Sequence, residues 1–144
     1  MFPALVFVLL SALLPGAAIG KEALAVCAYI QDIGSAADNQ VFYDVSQKGK
    51  DDAINKARAA CEAHAKKQGA IKYRCEAEGA CTEAGWCAIA SALKSGGRVG
   101  TSCRQATQEE AITAAKNACG SGACAKLFTY EIKQEENRGR LSNR

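Results

Sequence analysis

The sequence predicts a disulfide-stabilised α+β domain that is built from two copies of one strand–strand–helix–strand unit. Two Ala-rich segments, residues 51–61 and 109–119, each open with two acids and share Ala, Ile, Ala, Ala and Cys at matching positions. A shorter Cys-Ala motif precedes each segment, at residues 27–30 and 87–90. The two pairs lie 58 and 60 residues apart. Chance likeness between Ala-rich helices is the alternative, which the shared motifs and element order disfavour.

The first copy covers about residues 23–76. An apolar run at 23–30 and a β-branched, aromatic run at 41–45 indicate two strands, with a Gly-, Ser-, Asn- and Asp-rich turn between them. A helix is expected from residue 51 to about residue 67. An apolar stripe favours this helix, and it consists of Ile54, Ala57, Cys61 and Ala65. The first turn is acidic (Asp51 and Asp52), the last turn is basic (Lys66 and Lys67), and Gly69 can end the helix. Alternation at 70–75 predicts the third strand.

The second copy covers about residues 86–132. Strands are expected at 86–90, 98–103 and 123–132, with a turn at 94–97. Thr107 and Glu110 have the spacing of a capping box, and the helix they start ends near Cys119 before a Gly-Ser-Gly stop. Because Ala on both helices permits close packing, we expect one mostly antiparallel sheet of six strands with both helices on one face.

The two ends of the chain fall outside this unit. Residues 1–20 contain an apolar run and a small-x-small end, which predict a secretory signal peptide. A membrane anchor is the alternative, but the run is shorter than the roughly 20 residues that span a bilayer. Residues 133–144 are charged and lack aromatics, so we expect a disordered tail. A single domain at about residues 21–132 remains.

The composition indicates the cellular compartment of the protein and excludes some classes of ligand. All eight cysteines follow the signal segment, which indicates a secreted or periplasmic protein with a disulfide framework. The net charge of +3 comes from mixed signs, so nucleic-acid binding is not indicated. No further segment is apolar enough to span a membrane. The glycine-rich turns lack phosphate-binding patterns, and no cofactor is expected.

Cysteine spacing favours disulfides over metal or redox chemistry. Cys119 ends a helix and Cys124 opens a strand, so the short link permits the Cα separation of about 5.5 Å that a disulfide needs. Such a ring contributes roughly 2 kcal/mol. We predict this bridge and, by analogy, Cys61–Cys75. The sequence does not determine the disulfide partners of the other four cysteines, Cys27, Cys81, Cys87 and Cys103. Only Cys119 and Cys124 have the Cys-x₂₋₄-Cys spacing of a zinc site, and a Cys-x-x-Cys motif is absent, so no metal site is expected.

Catalytic residues are scarce. His64 is the one histidine and follows Cys61 by three residues, so a Cys/His dyad is the alternative to a packing role. Helix dipole and capping explain the acid pairs at 51–52 and 109–110 without glycoside chemistry. Most aromatic residues should fill the core, and one or two on an open sheet face could anchor a partner.

One part of the chain resembles a known group. Trp86-Cys87-Ala88-Ile89-Ala90, a Gly turn, an Ala-rich helix ending in Cys119, and Cys124 on a strand are the residues that carry the resemblance. They resemble small secreted bacterial proteins with an aromatic-(Gly/Cys)-Ala-Ile-Ala opening, a family classed only as a domain of unknown function. The likeness covers residues 86–132 well and 26–76 loosely. It implies secretion and a Cys119–Cys124 bridge, and it implies no catalytic residue.

These observations predict a non-catalytic, secreted or periplasmic protein-binding module. An inhibitor, an immunity protein or a secreted effector would each fit, with another protein as the partner. A small secreted enzyme that uses a Cys/His pair and a structural surface protein are the alternatives. The oligomeric state stays open at this point.

Overall fold

A computed structural model describes residues 21–133 of the chain. The predicted signal peptide at 1–20 and the predicted tail beyond Lys133 lie outside the described residues. Across the described range, none of the helices combines the length and apolar character needed to cross a membrane.

The described residues form six strands and two α-helices in the predicted order. The strands are β1 (Ala23–Gln31), β2 (Gln40–Ser46), β3 (Tyr73–Cys81), β4 (Gly85–Ser91), β5 (Val99–Gln105) and β6 (Ala125–Ile132). The helices are α1 (Lys50–Gln68) and α2 (Gln108–Cys119). Short 3₁₀ turns lie at Ala36–Asp38 and Leu93–Ser95. The α+β class and the repeated strand–strand–helix–strand order are confirmed.

The strands form two antiparallel sheets of three, in the orders β2-β1-β3 and β5-β4-β6. The expectation of a single six-stranded sheet is therefore wrong in the number of sheets. Each copy forms a sheet of its own because its first strand is central and pairs with both later strands of the same copy. The third strand, predicted at 70–75, is β3 and runs on to Cys81, so it takes up most of the segment between the two predicted copies.

The four layers are helix, sheet, sheet and helix. On β1, Ala25 and Cys27 pack towards α1, whereas Leu24 and Val26 join a second core. The strand β4 repeats this division, with Ala88 and Ala90 towards α2. The second core contains residues from both copies, so the inner faces of the sheets pack together. The helices thus cover opposite outer faces, and the expected open sheet face is occupied by the other sheet.

Helix ends follow the predicted signals. The Thr107 hydroxyl accepts a hydrogen bond from the Glu110 backbone N–H at 3.2 Å, which caps the start of α2. Both helices end at a left-handed glycine, Gly69 and Gly120. The buried stripe of α1 is Ala53, Ala57, Cys61 and Ala65. Ile54, which the sequence placed on that stripe, is only partly buried and packs at its margin.

The repeated Cys-Ala motif does not occupy equivalent positions in the two sheets. Cys27 lies in the core between β1 and α1, whereas Cys87 lies in the core between the sheets. Side chains alternate along a strand, so an offset of one residue moves a matching residue to the other face. The repeated Cys-Ala motif therefore identifies equivalent strands, but the sulfur atoms of Cys27 and Cys87 have different neighbours.

Candidate functional site

The two long edges of the sandwich are held in different ways. At the β3–β5 edge, a disulfide joins Cys81 to Cys103 with a Cα–Cα distance of 5.4 Å. At the β2–β6 edge, the contact is aromatic: the rings of Tyr43 and Phe128 stack with centroids 4.3 Å apart. The Tyr130 hydroxyl also donates a hydrogen bond to the Glu22 carboxylate, and this bond raises the pKa of Tyr130. The described β2–β6 edge thus has no covalent link.

A groove of about 410 Å³ opens at the β2–β6 edge. Its walls come from both copies, so neither repeat forms it alone. The apolar part of the lining is Val41, Tyr43, Ala92, Leu93, Ala123, Ala125 and Leu127. Among the described residues that line it, Lys94 carries the one charge, and the remaining polar groups are amides and hydroxyls. A lining of this kind suits an apolar ligand group with a nearby acid.

Two large apolar side chains in this groove face solvent. Tyr43 is 39% exposed and Leu127 is 45% exposed. Leu127 is the extra residue of a β-bulge, because Ala90 of β4 pairs with Lys126 while Ile89 pairs with Phe128. A bulge re-aims the side chain it carries, and here the re-aimed leucine lines the groove. Sequence alternation alone does not reveal a bulge, so the sequence does not indicate that Leu127 lines a groove.

The turns beside the groove are held by side-chain hydrogen bonds. The Asn39 side-chain oxygen accepts from the Gln31 backbone N–H at 2.9 Å, and Asn39 is buried. The Ser91 hydroxyl accepts from the Leu93 backbone N–H at 3.0 Å. These bonds fix the two 3₁₀ turns that flank the groove. Its shape is therefore largely set before any ligand binds.

Three disulfides cross-link the described residues. Cys61–Cys75 joins α1 to β3, and Cys119–Cys124 joins α2 to the start of β6. These are the two pairings that the sequence predicted. The third bridge, Cys81–Cys103, joins the two sheets and was left open. Cys27 and Cys87 are the free, buried thiols, and burial raises the pKa of both.

Each free thiol lies against one of the bridges. The sulfur atoms of Cys27, Cys61 and Cys75 are within 4.8 Å of one another, and so are those of Cys81, Cys87 and Cys103. Three thiolates at such distances could ligate a soft metal ion. In each cluster, however, two of the three sulfurs are bonded to each other. The clusters therefore present a thiol beside a disulfide, an arrangement that sequence spacing did not indicate.

The Cys/His dyad that the sequence offered is not assembled. Cys61 is bonded to Cys75, so it supplies no thiolate to His64. The imidazole packs against Tyr29 and Phe42, with ring centroids 4.8 Å and 5.3 Å away. His64 thus occupies a packing position at the edge of the α1 core.

The acid pairs lie in the first turns of their helices. Asp52 accepts a hydrogen bond from the Ser46 hydroxyl and lies 3.0 Å from the Lys56 ammonium, and these contacts lower its pKa. Glu109 and Glu110 lie in the first turn of α2. Both pairs therefore have the helix-start positions that the sequence indicated. Trp86, at the opening of the second copy, packs against the α2 core.

Comparison with family models, with curated proteins and with solved structures gave no match for this chain. The function is therefore argued from the groove, the bridges and the thiols themselves.

Proposed function

We propose that the chain is a non-catalytic, secreted or periplasmic protein-binding module that holds an extended segment of another protein in the β2–β6 groove. The observation that carries the proposal is the pair of solvent-facing apolar side chains, Tyr43 of β2 and Leu127 of β6, in the lining of one groove. Large apolar groups in a pocket are the usual energetic centre of an interface. The three disulfides are compatible with an oxidising compartment.

The flanking strands favour an extended ligand. Both β2 and β6 are edge strands, and within the described residues each pairs with a neighbour on one side only. An edge strand presents backbone N–H and C=O groups that can pair with an added strand. Lys94 supplies the charge of the lining, so an acidic residue of the ligand would complement it. We therefore expect an extended peptide with one large apolar side chain and an acid beside it.

Peptide display on the oxidised protein tests this directly. We expect selection of extended sequences that combine an aromatic or aliphatic anchor with an Asp or Glu. Leu127→Asp should weaken their binding at least tenfold (about 1.4 kcal/mol), because a charge replaces the apolar wall. Lys94→Glu should weaken chiefly the acidic peptides. The matched control is Ile71→Asp, since Ile71 is 96% exposed and lies outside the groove lining.

Equal binding to wild-type protein and to Leu127→Asp would contradict the proposal. Loss of binding in Ile71→Asp as well would show that the selected peptides recognise general hydrophobicity. The source of a natural partner then separates two roles within the same proposal. A partner from the producer's own envelope indicates an inhibitor or immunity protein, whereas a target in another organism indicates an effector.

A further inference from the structure

We propose that Cys81, Cys87 and Cys103 form a thiol–disulfide exchange site at the β3–β5 edge. In this site the buried Cys87 opens the Cys81–Cys103 bridge, and Cys103 becomes a thiolate that can attack a disulfide of another molecule. The site lies on the edge of the sandwich away from the groove, so tests of peptide binding do not affect this proposal.

The three sulfurs are placed for exchange. All lie within 4.8 Å of one another, and both Cys81 and Cys87 are buried in the core between the sheets. Cys103 is only partly buried. It lines a small surface pocket of about 150 Å³ together with Ala80, Cys81, Thr82, Glu83 and Arg104. One end of the bridge is therefore buried beside a thiol, and the other end opens to the surface.

Backbone strain at Arg104 supports the site. Arg104 has φ of 59°, and among the described residues it is the one non-glycine residue with positive φ. It lies in a bulge of β5 opposite Cys87, where the β4–β5 register shifts between Trp86 and Ala88. The Arg104 backbone partly offsets the rise in the pKa of the Cys87 thiol that burial causes. A non-glycine residue in a left-handed conformation is uncommon and is often retained at functional sites.

The exchange step balances without an external oxidant or reductant. Cys87 loses its proton to solvent, and the thiolate attacks the Cys81 sulfur. The Cys87–Cys81 bond forms while the Cys81–Cys103 bond breaks, and its electron pair leaves on the Cys103 sulfur. Attack on Cys103 would instead release the buried Cys81. Release of Cys103 is favoured because Cys103 is only partly buried and lines a surface pocket, so its thiolate is better solvated than that of Cys81.

The released thiolate can then react with a second molecule. Attack on a disulfide R–S–S–R′ forms a Cys103–S–S–R mixed disulfide and expels R′–S⁻, so electrons again balance. The ligand class is thus a protein or small-molecule disulfide. Neither of the other bridges has the same setting. Cys119–Cys124 is not part of a three-sulfur cluster, and the Cys27 cluster has no positive-φ residue beside it.

Trapping with N-ethylmaleimide tests the site. The native oxidised protein is alkylated, digested at acidic pH without reduction, and mapped by mass spectrometry. We expect alkylation at Cys103 together with a Cys81–Cys87 linked peptide. Labelling should accelerate as the pH rises, because burial raises the pKa of the Cys87 thiol and leaves little thiolate near neutrality.

Two variants complete the test. Cys87→Ser should abolish Cys103 labelling, whereas Cys27→Ser should leave its rate within about twofold, since Cys27 lies in the other sulfur cluster. Alkylation confined to Cys87 with the Cys81–Cys103 bridge intact would overturn the proposal, and so would undiminished Cys103 labelling in Cys87→Ser. If Cys87→Ser does not fold, the linked peptides of the wild-type protein still decide between the two bridges.

Discussion

At the scale of single residues, small side chains decide how closely each helix approaches its sheet. Ala111, Ala115 and Cys119 of α2 are fully or almost fully buried. Gly100 of β5 lies directly beneath them: a Cβ atom at this position would be 2.0 Å from the Ala115 carbonyl oxygen and 2.4 Å from the Cys119 nitrogen. The Ser102 hydroxyl, two residues along, donates a 2.6 Å hydrogen bond to the Ala111 carbonyl oxygen. Backbone and short side chains thus form the contact between strand and helix.

Gly100→Ala should therefore destabilise the domain. The added methyl group would overlap helix backbone that cannot move without disturbing the Cys119–Cys124 turn, and overpacking of this kind costs about 1–3 kcal/mol. Urea denaturation of the oxidised protein measures the change. Gly122→Ala is the control, because nothing lies within 4 Å of its added Cβ. Equal stability of the two variants would contradict the close contact.

At the scale of elements, each copy contains a disulfide that joins the C-terminal half of its helix to the following strand. In the first copy Cys61 and Cys75 are 14 residues apart, and in the second Cys119 and Cys124 are 5 apart. A bridge stabilises partly by limiting the unfolded chain, and the effect grows with loop length. Equivalent positions on α1 and α2 thus contribute different stabilities.

Removal of the two bridges should rank accordingly. Cys61→Ser with Cys75→Ser should lower the free energy of unfolding by about 3 kcal/mol, and Cys119→Ser with Cys124→Ser by about 2 kcal/mol. Thermal denaturation of the two double variants, with thiol-blocked samples to prevent reshuffling, gives the comparison. The reverse ranking would indicate that native-state packing around the sulfurs outweighs loop closure.

At the scale of the whole molecule, the copies depend on each other through the core between the sheets. Leu24 and Val26 come from the first copy and Ile89 and Ile132 from the second, and all four are buried. The Cys81–Cys103 bridge crosses the same boundary. A half alone would expose the inner face of its sheet, and a unit of that size rarely forms a sufficient core.

Separate halves, divided in the link between β3 and β4, should therefore not fold alone. Each should lack a cooperative thermal transition and should bind a hydrophobic dye, because its inner sheet face is solvated. Mixing the halves under oxidising conditions should restore the transition. Circular dichroism and dye fluorescence measure both properties. A half that unfolds cooperatively by itself would show that the two repeats are independent domains.

Short-range patterns in the sequence were enough to predict the α+β class, the order of elements, the ends of both helices and the two bridges that run from a helix to the next strand. Each depends on interactions within one element or across one short link, such as the Thr107 cap, the terminal glycine Gly69 and the Cys119–Cys124 turn. Signals of this kind act over a few residues, so they can be read from spacing.

Packing between distant segments was needed to establish that there are two sheets rather than one, and that Cys27 and Cys87 face different cores. It also decided the Cys81–Cys103 bridge, the bulge at Leu127 and the groove at the β2–β6 edge. These features depend on strand register and on which sheet faces meet. A shift of one residue reverses a strand's faces without altering its sequence pattern, so that information appears only when both copies are packed together.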